Sequence, residues 1–191
     1  MHTKNIIIVG VGGQGTLLTS RILGGIAHMA GHDVKVSEVH GMAQRGGSVI
    51  TFVRYGDCVH EPLVEEGQAD ILIAFEQLEA LRYVHFLKKD GVIILNEQKI
   101  SPVTVLTGAA TYPEDIPERL KKRRRVVSID AISAAQDLGD MRVFNTIIVG
   151  LAARSMEFDK ADWFTVIENT VPPKMVELNK AAFELGYEES K

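Results

Sequence analysis

Short apolar runs alternate along this chain with segments whose apolar side chains recur at helical spacing. Residues 5–9 read Asn-Ile-Ile-Ile-Val, an unbroken β-branched run of the kind that forms a strand buried on both faces. Residues 16–30 place Leu17, Leu18, Ile22, Ile26 and Met29 at near-helical intervals and stop at Gly31, which predicts a helix. Residues 34–38 alternate as a strand, so the opening reads as a βαβ unit. Residues 39–47 carry no core-facing period and read as an exposed loop. A strand over 48–54 is expected to turn at Tyr55-Gly56-Asp57 into a second short strand at 58–60, giving an antiparallel hairpin.

The alternation then resumes, with a strand over 71–75, a helix over 77–89 and a strand over 92–96. A weak strand over 103–106, a helix over 112–122 and a strand over 126–129 follow. The remainder, 131–138, 145–156, 160–170 and 174–185, reads as helix. The pattern predicts one α/β domain over residues 1–191: a three-layer, Rossmann-like, open and mostly parallel sheet with an antiparallel hairpin and a helical C-terminal tail.

Composition narrows the function classes. Twenty-one Lys and Arg against 25 Asp and Glu leave a net charge of -4, which gives no electrostatic reason to expect nucleic acid or a membrane surface as partner. One cysteine, Cys58, excludes an internal disulfide and a cluster ligated by about four thiolates of this chain alone. Without a leader-type apolar run, or a stretch of roughly 18 apolar residues, a cytoplasmic location is expected. No metal site is expected, because the histidines show neither metal-ligand spacing nor a paired cysteine.

The turn between the first strand and helix holds Gly10, Gly12, Gly13, Gln14 and Gly15, and its G-x-G-x-x-G spacing lies in the strand-to-helix context that dinucleotide sites require. Free N–H groups at the helix start favour an anion. A ribose-binding acid belongs about 20 residues further on. Glu38 is the candidate, and it runs into a loop rather than a helix. Two readings stay open: an anion- or nucleotide-binding turn, or glycines that only let strand and helix approach.

The loop itself gathers His40, Gly41, Met42, Gln44, Arg45, Gly46 and Gly47. Arg45 suits a carboxylate or phosphate, His40 a proton, and the glycines a close backbone approach; a solvated turn is the alternative. Glu76 and Glu79 follow the 71–75 strand, either as cleft groups or as helix-start carboxylates. Asn145 reads as a helix cap or an interface contact. The run 121–125, Lys-Lys-Arg-Arg-Arg, reads as a solvated helix end or as a contact for a phosphate or an acidic partner.

Three blocks in this order, residues 10–15 (GVGGQG), 38–49 (EVHGMAQRGGSV) and 74–80 (AFEQLEA), resemble the small (beta) subunits of indolepyruvate:ferredoxin oxidoreductases. More broadly they resemble the gamma domain of the pyruvate and 2-oxoacid:ferredoxin oxidoreductases. The resemblance implies a subunit inactive alone, with thiamine diphosphate and iron–sulfur clusters in a large (alpha) partner, coenzyme A as co-substrate and ferredoxin served through the complex. It implies that Glu38 and residues 40–47 face the partner's cleft. An NAD-dependent dehydrogenase and a nucleotide-binding scaffold module are the alternatives.

Overall fold

A run such as Ile6-Ile7-Ile8-Val9 is stable only where a strand is covered on both sides, and all four side chains are fully buried in β1 (Lys4–Val11). The computed structural model describes residues 3–40 and 46–189, with His40 described in its backbone only. Five further strands, β2 (Asp33–His40), β3 (Ser48–Gly56), β4 (Ala69–Ala74), β5 (Leu87–Asn96) and β6 (Arg125–Ile129), complete one sheet in the order β2-β3-β1-β4-β5-β6. β1, β4, β5 and β6 run parallel, whereas β3 is antiparallel to both of its neighbours.

Alternation along β1 sends Ile6 and Ile8 to one layer and Ile7 and Val9 to the other. The first layer packs against α1 (Thr16–Met29), α5 (Ala131–Asp137), α6 (Phe144–Ala153), α7 (Lys160–Thr170) and α8 (Val176–Glu189). The second packs against α2 (Gln77–Tyr83) and α4 (Ile116–Lys121). The single turn α3 (Val103–Leu106) lies outside both clusters. In α6 every residue from Asn145 to Ala153 is buried, and it meets α8 backbone to backbone. A Cβ on Gly150 would lie 2.1 Å from the Phe183 carbonyl oxygen, and one on Gly186 would lie 1.9 Å from that of Ile147.

The three-layer α/β architecture matches the expectation, and four local readings change. β1 and β2 are not neighbours, because β3 inserts between them; the antiparallel hairpin is β2–β3, joined by the 41–47 segment. Residues 58–60 form no strand, since Tyr55 already pairs with Lys4 on one side and Val34 on the other, leaving β3 no free edge. The helix expected over 77–89 stops at Tyr83, where an aromatic and β-branched stretch gives a 3₁₀ turn (Val84–Phe86) and Phe86 packs edge-on to Phe52. Residues 103–106 are helical rather than extended, started by Pro102 at φ -66°.

Candidate functional site

At the carboxyl end of β1 the chain turns through Gly12-Gly13-Gln14 into α1. Gly13 (φ 102°) and Gly15 (φ 84°) take the left-handed conformation that favours glycine, and a Cβ on Gly15 would meet the Asn145 amide nitrogen at 2.4 Å. Gln14 points inward and is 7% exposed. Its Oε1 accepts from the Val11 N–H at 2.7 Å, and its Nε2 donates to the Phe75 carbonyl at 3.1 Å and to Gln98 Oε1 at 2.8 Å. One carboxamide therefore ties together the ends of β1 and β4 and the segment after β5. Asn96 Nδ2 donates to the same Phe75 carbonyl at 3.0 Å, while its Oδ1 accepts from the Ala131 N–H at the start of α5.

Because α1 and α2 leave the sheet on opposite faces, the gap between the carboxyl ends of β1 and β4 is the switch point at which open α/β sheets receive nucleotides. Gln14 fills that gap. Glu38 is also engaged by its own chain, accepting from Thr51 Oγ1 at 3.2 Å and Thr16 Oγ1 at 3.4 Å. With the gap filled by Gln14 and Glu38 held by two threonines, the usual dinucleotide place is taken up by the chain itself. Beyond Gln14 an open crevice of about 350 Å³ remains, lined by Gly13, Gln98, Met141, Arg142, Phe144 and Asn145. The Arg142 guanidinium is turned onto Asp140, and hydrogen bonds from Arg142 hold the Asp140 carboxyl down to about 2.

The pairing of His40 with Val49 places the end of β2 and the start of β3 at the same carboxyl edge. Gly41, Met42, Gln44 and Arg45 lie outside the described residues, as does the His40 side chain. The base of the loop is described: the Gly12 N–H donates to the Gly47 carbonyl at 2.9 Å, joining the glycine turn directly to it, and Gly46 has φ 78°. One residue on, Ser48 Oγ donates to Glu79 Oε2 and lies 3.2 Å from the Tyr83 hydroxyl. Glu79 is 3% exposed; burial pushes its pKa up, opposed by Ser48 and by Arg82, whose Nη1 donates at 2.9 Å.

Glu76, 1% exposed, caps α2 by accepting from the Glu79 N–H at 3.0 Å. Its second oxygen accepts from the Ile100 N–H at 3.0 Å and from the Tyr112 hydroxyl, whose pKa is raised first by burial and then by this carboxylate. The helix-start reading of Glu76 thus describes its contacts, since three donors occupy its two oxygens. Asn145 caps nothing with its side chain and instead lies against Gly15. Gln98, Asn96 and Ser48 belong to the site and were not legible as such, whereas Glu79 was picked out by its place after the 71–75 strand. For Asn96 and Gln98 the one sequence signal is polar side chains at and just after the end of an apolar parallel strand, where such sheets bind ligands; Ser48 opens the antiparallel β3 and carries no such signal.

Leu17 at the start of α1, Val39 at the end of β2 and Met141 in the crevice lining are 48%, 51% and 52% exposed and leave apolar surface at this edge. Among the described residues no three His, Cys, Asp or Glu side chains come together as a metal-ligand set, and no helix is long and apolar enough to cross a membrane. Cys58 is exposed, 3.8 Å from His60 Nε2.

A family model described as pyruvate ferredoxin/flavodoxin oxidoreductase matches residues 5–189. The indolepyruvate oxidoreductase subunit IorB of Pyrococcus horikoshii is 42% identical over all of this chain and 98% of its own length. That of Archaeoglobus fulgidus is 44% identical over 97% of this chain and 94% of its own. Among solved structures, the gamma subunit of a keto/oxoacid ferredoxin oxidoreductase from Geobacter sulfurreducens superposes with a TM-score of 0.74 at 25% identity, covering 98% of both chains.

Proposed function

Because the chain belongs to the pyruvate ferredoxin/flavodoxin oxidoreductase family, we propose that it works as the small subunit of an indolepyruvate-type 2-oxoacid:ferredoxin oxidoreductase, completing the cleft of a larger subunit. In this reading thiamine diphosphate and iron–sulfur clusters reside in the large subunit and supply decarboxylation and electron transfer, coenzyme A takes up the acyl group, and ferredoxin is served through the complex. The donor set of this chain does not fit a cluster of its own: it has one cysteine, and that one is exposed. The cytoplasm is the compartment that goes with these partners.

One observation carries the reading. The glycine turn, the base of the 41–47 loop and an exposed apolar rim converge on one edge of the sheet, with the Gly12–Gly47 hydrogen bond joining the first two. Apolar surface left open around a polar loop is the character of a docking face. This chain's own residues would hold the loop against the partner cleft: Glu79 and Ser48 anchor its return strand, Thr16 and Thr51 fix Glu38 at its departure, and the rim excludes water when covered. Glu38, His40, Gly41, Met42, Gln44, Arg45, Gly46 and Gly47 are the residues this reading gives to the cleft and its interface, with Arg45 as the carboxylate- or phosphate-facing cation.

Reconstitution tests this. The purified chain should be colourless and inactive, and aryl-pyruvate- and coenzyme A-dependent dye reduction should return only when it is mixed with the large subunit. Full-rate turnover by the large subunit alone would sink the proposal. Saturable NADH binding to this chain, weakened by Glu38→Ala, would favour a dehydrogenase instead.

A further inference from the structure

Charge on this acidic chain is unevenly spread. Residues 116–125 carry six cations, Arg119 and Lys121 to Arg125, against the single carboxylate of Glu118, a local excess of five. None of the six forms an ion pair among the described residues. A helix end explains little of this, because α4 is six residues long and its Leu120 carbonyl already accepts from the Arg123 and Arg124 N–H groups. Like charges held together without partners oppose folding, so the arrangement calls for a counter-charge.

Four of these cations line a cavity of about 370 Å³ between α2 and α4, at the amino edge of the sheet. Leu81, Val84 and Leu120 give it apolar walls; His85, Arg119, Lys122, Arg123 and Arg124 line the rest. Arg124 enters with its Nε buried and without an acceptor, while its Nη1 donates to the Arg123 carbonyl at 3.1 Å. The nearest acid to His85 is the exposed Glu66, 3.7 Å away. A cavity of roughly this volume with apolar walls and a few convergent polar groups is the usual form of a small-molecule site, and guanidinium forks match phosphate oxygens.

We propose that this cavity binds an organic phosphate of nucleotide size, with its phosphates among Arg119, Arg123 and Arg124 and its apolar body against Leu81, Val84 and Leu120. Calorimetric titration of the full chain with ADP at low salt should give one saturable site, and inorganic phosphate should bind at least about tenfold more weakly because it lacks the body. Arg119→Gln/Arg123→Gln alters two exposed side chains, so its melting curve should stay as in the wild type while ADP affinity falls at least about tenfold. Arg124→Lys, which keeps the charge and loses the fork, should also weaken ADP, whereas Arg21→Gln on α1 should not. Absence of saturation, or ADP affinity unchanged in the Arg119/Arg123 variant, overturns the site. Inorganic phosphate binding as tightly as ADP overturns the assignment of the apolar walls.

Discussion

Gly→Ala substitutions inside helices ordinarily stabilise by up to about 1 kcal/mol, because alanine loses less backbone freedom on folding. In this chain the sign should depend on which helix is changed. At Gly150 and Gly186 the new methyl would stand 2.1 Å and 1.9 Å from carbonyl oxygens of the facing helix, far inside van der Waals contact. Those atoms are backbone, so no rotamer change relieves the clash and α6 and α8 must move apart by roughly 1 Å. Overpacking of this kind costs about 3 kcal/mol, and the propensity gain offsets about 1, leaving a net loss of about 2 kcal/mol. For a chain of this size that lowers Tm by about 4–8 °C. Gly24 in α1 is the control, since its methyl would meet Val34 and Val36 at an ordinary 3.6 Å and should raise Tm slightly. Thermal unfolding followed by circular dichroism compares the three variants with the wild type. If Gly150→Ala or Gly186→Ala melts at or above Gly24→Ala, the close helix contact is wrong.

Glu76→Ala strands the Glu79 and Ile100 N–H groups and the Tyr112 hydroxyl, and should cost about 3 kcal/mol in urea unfolding; a loss under about 0.5 would mean water replaces the cap. Glu79 has a raised pKa, so the folded state holds its proton more tightly than the unfolded one. Its contribution is therefore most favourable below the unfolded value near 4.5 and is lost as pH rises through the folded value. The stability difference between wild type and Glu79→Gln should accordingly shrink or reverse from acid to neutral pH, and a pH-independent difference refutes the burial effect. In the reconstituted enzyme Arg45→Ala should lower turnover at least about tenfold, the loss of one charged contact of about 1.4 kcal/mol, while the subunits still co-elute on gel filtration. Unchanged turnover removes Arg45 from the cleft.

The parallel strands were legible because burial on both faces leaves a continuous apolar run, as in β1 and β5, and the long helices because their period survives in the sequence. The place of β3 was not legible. Its residues say that a strand forms, but only the two ladders, Tyr55 with Lys4 and with Val34, say that it lies between β1 and β2. The site divided likewise. Glycines at the turn, the loop and Glu38 could be picked out by residue type and spacing. That Gln14 turns inward rather than leaving the turn open to a ligand depends on Phe75 and Gln98, 61 and 84 residues away. Contacts of that separation leave no local periodicity to read.

Gln14 also makes the site observable from within. The Val11 amide is donated to a side chain and not to water, so its proton should exchange slowly and resonate at a position set by that carboxamide. Any molecule or partner loop that displaces Gln14 from the gap releases this amide. A single backbone resonance, followed in the isolated chain and again as the large subunit is added, would then report whether the gap between β1 and β4 opens on assembly or stays plugged.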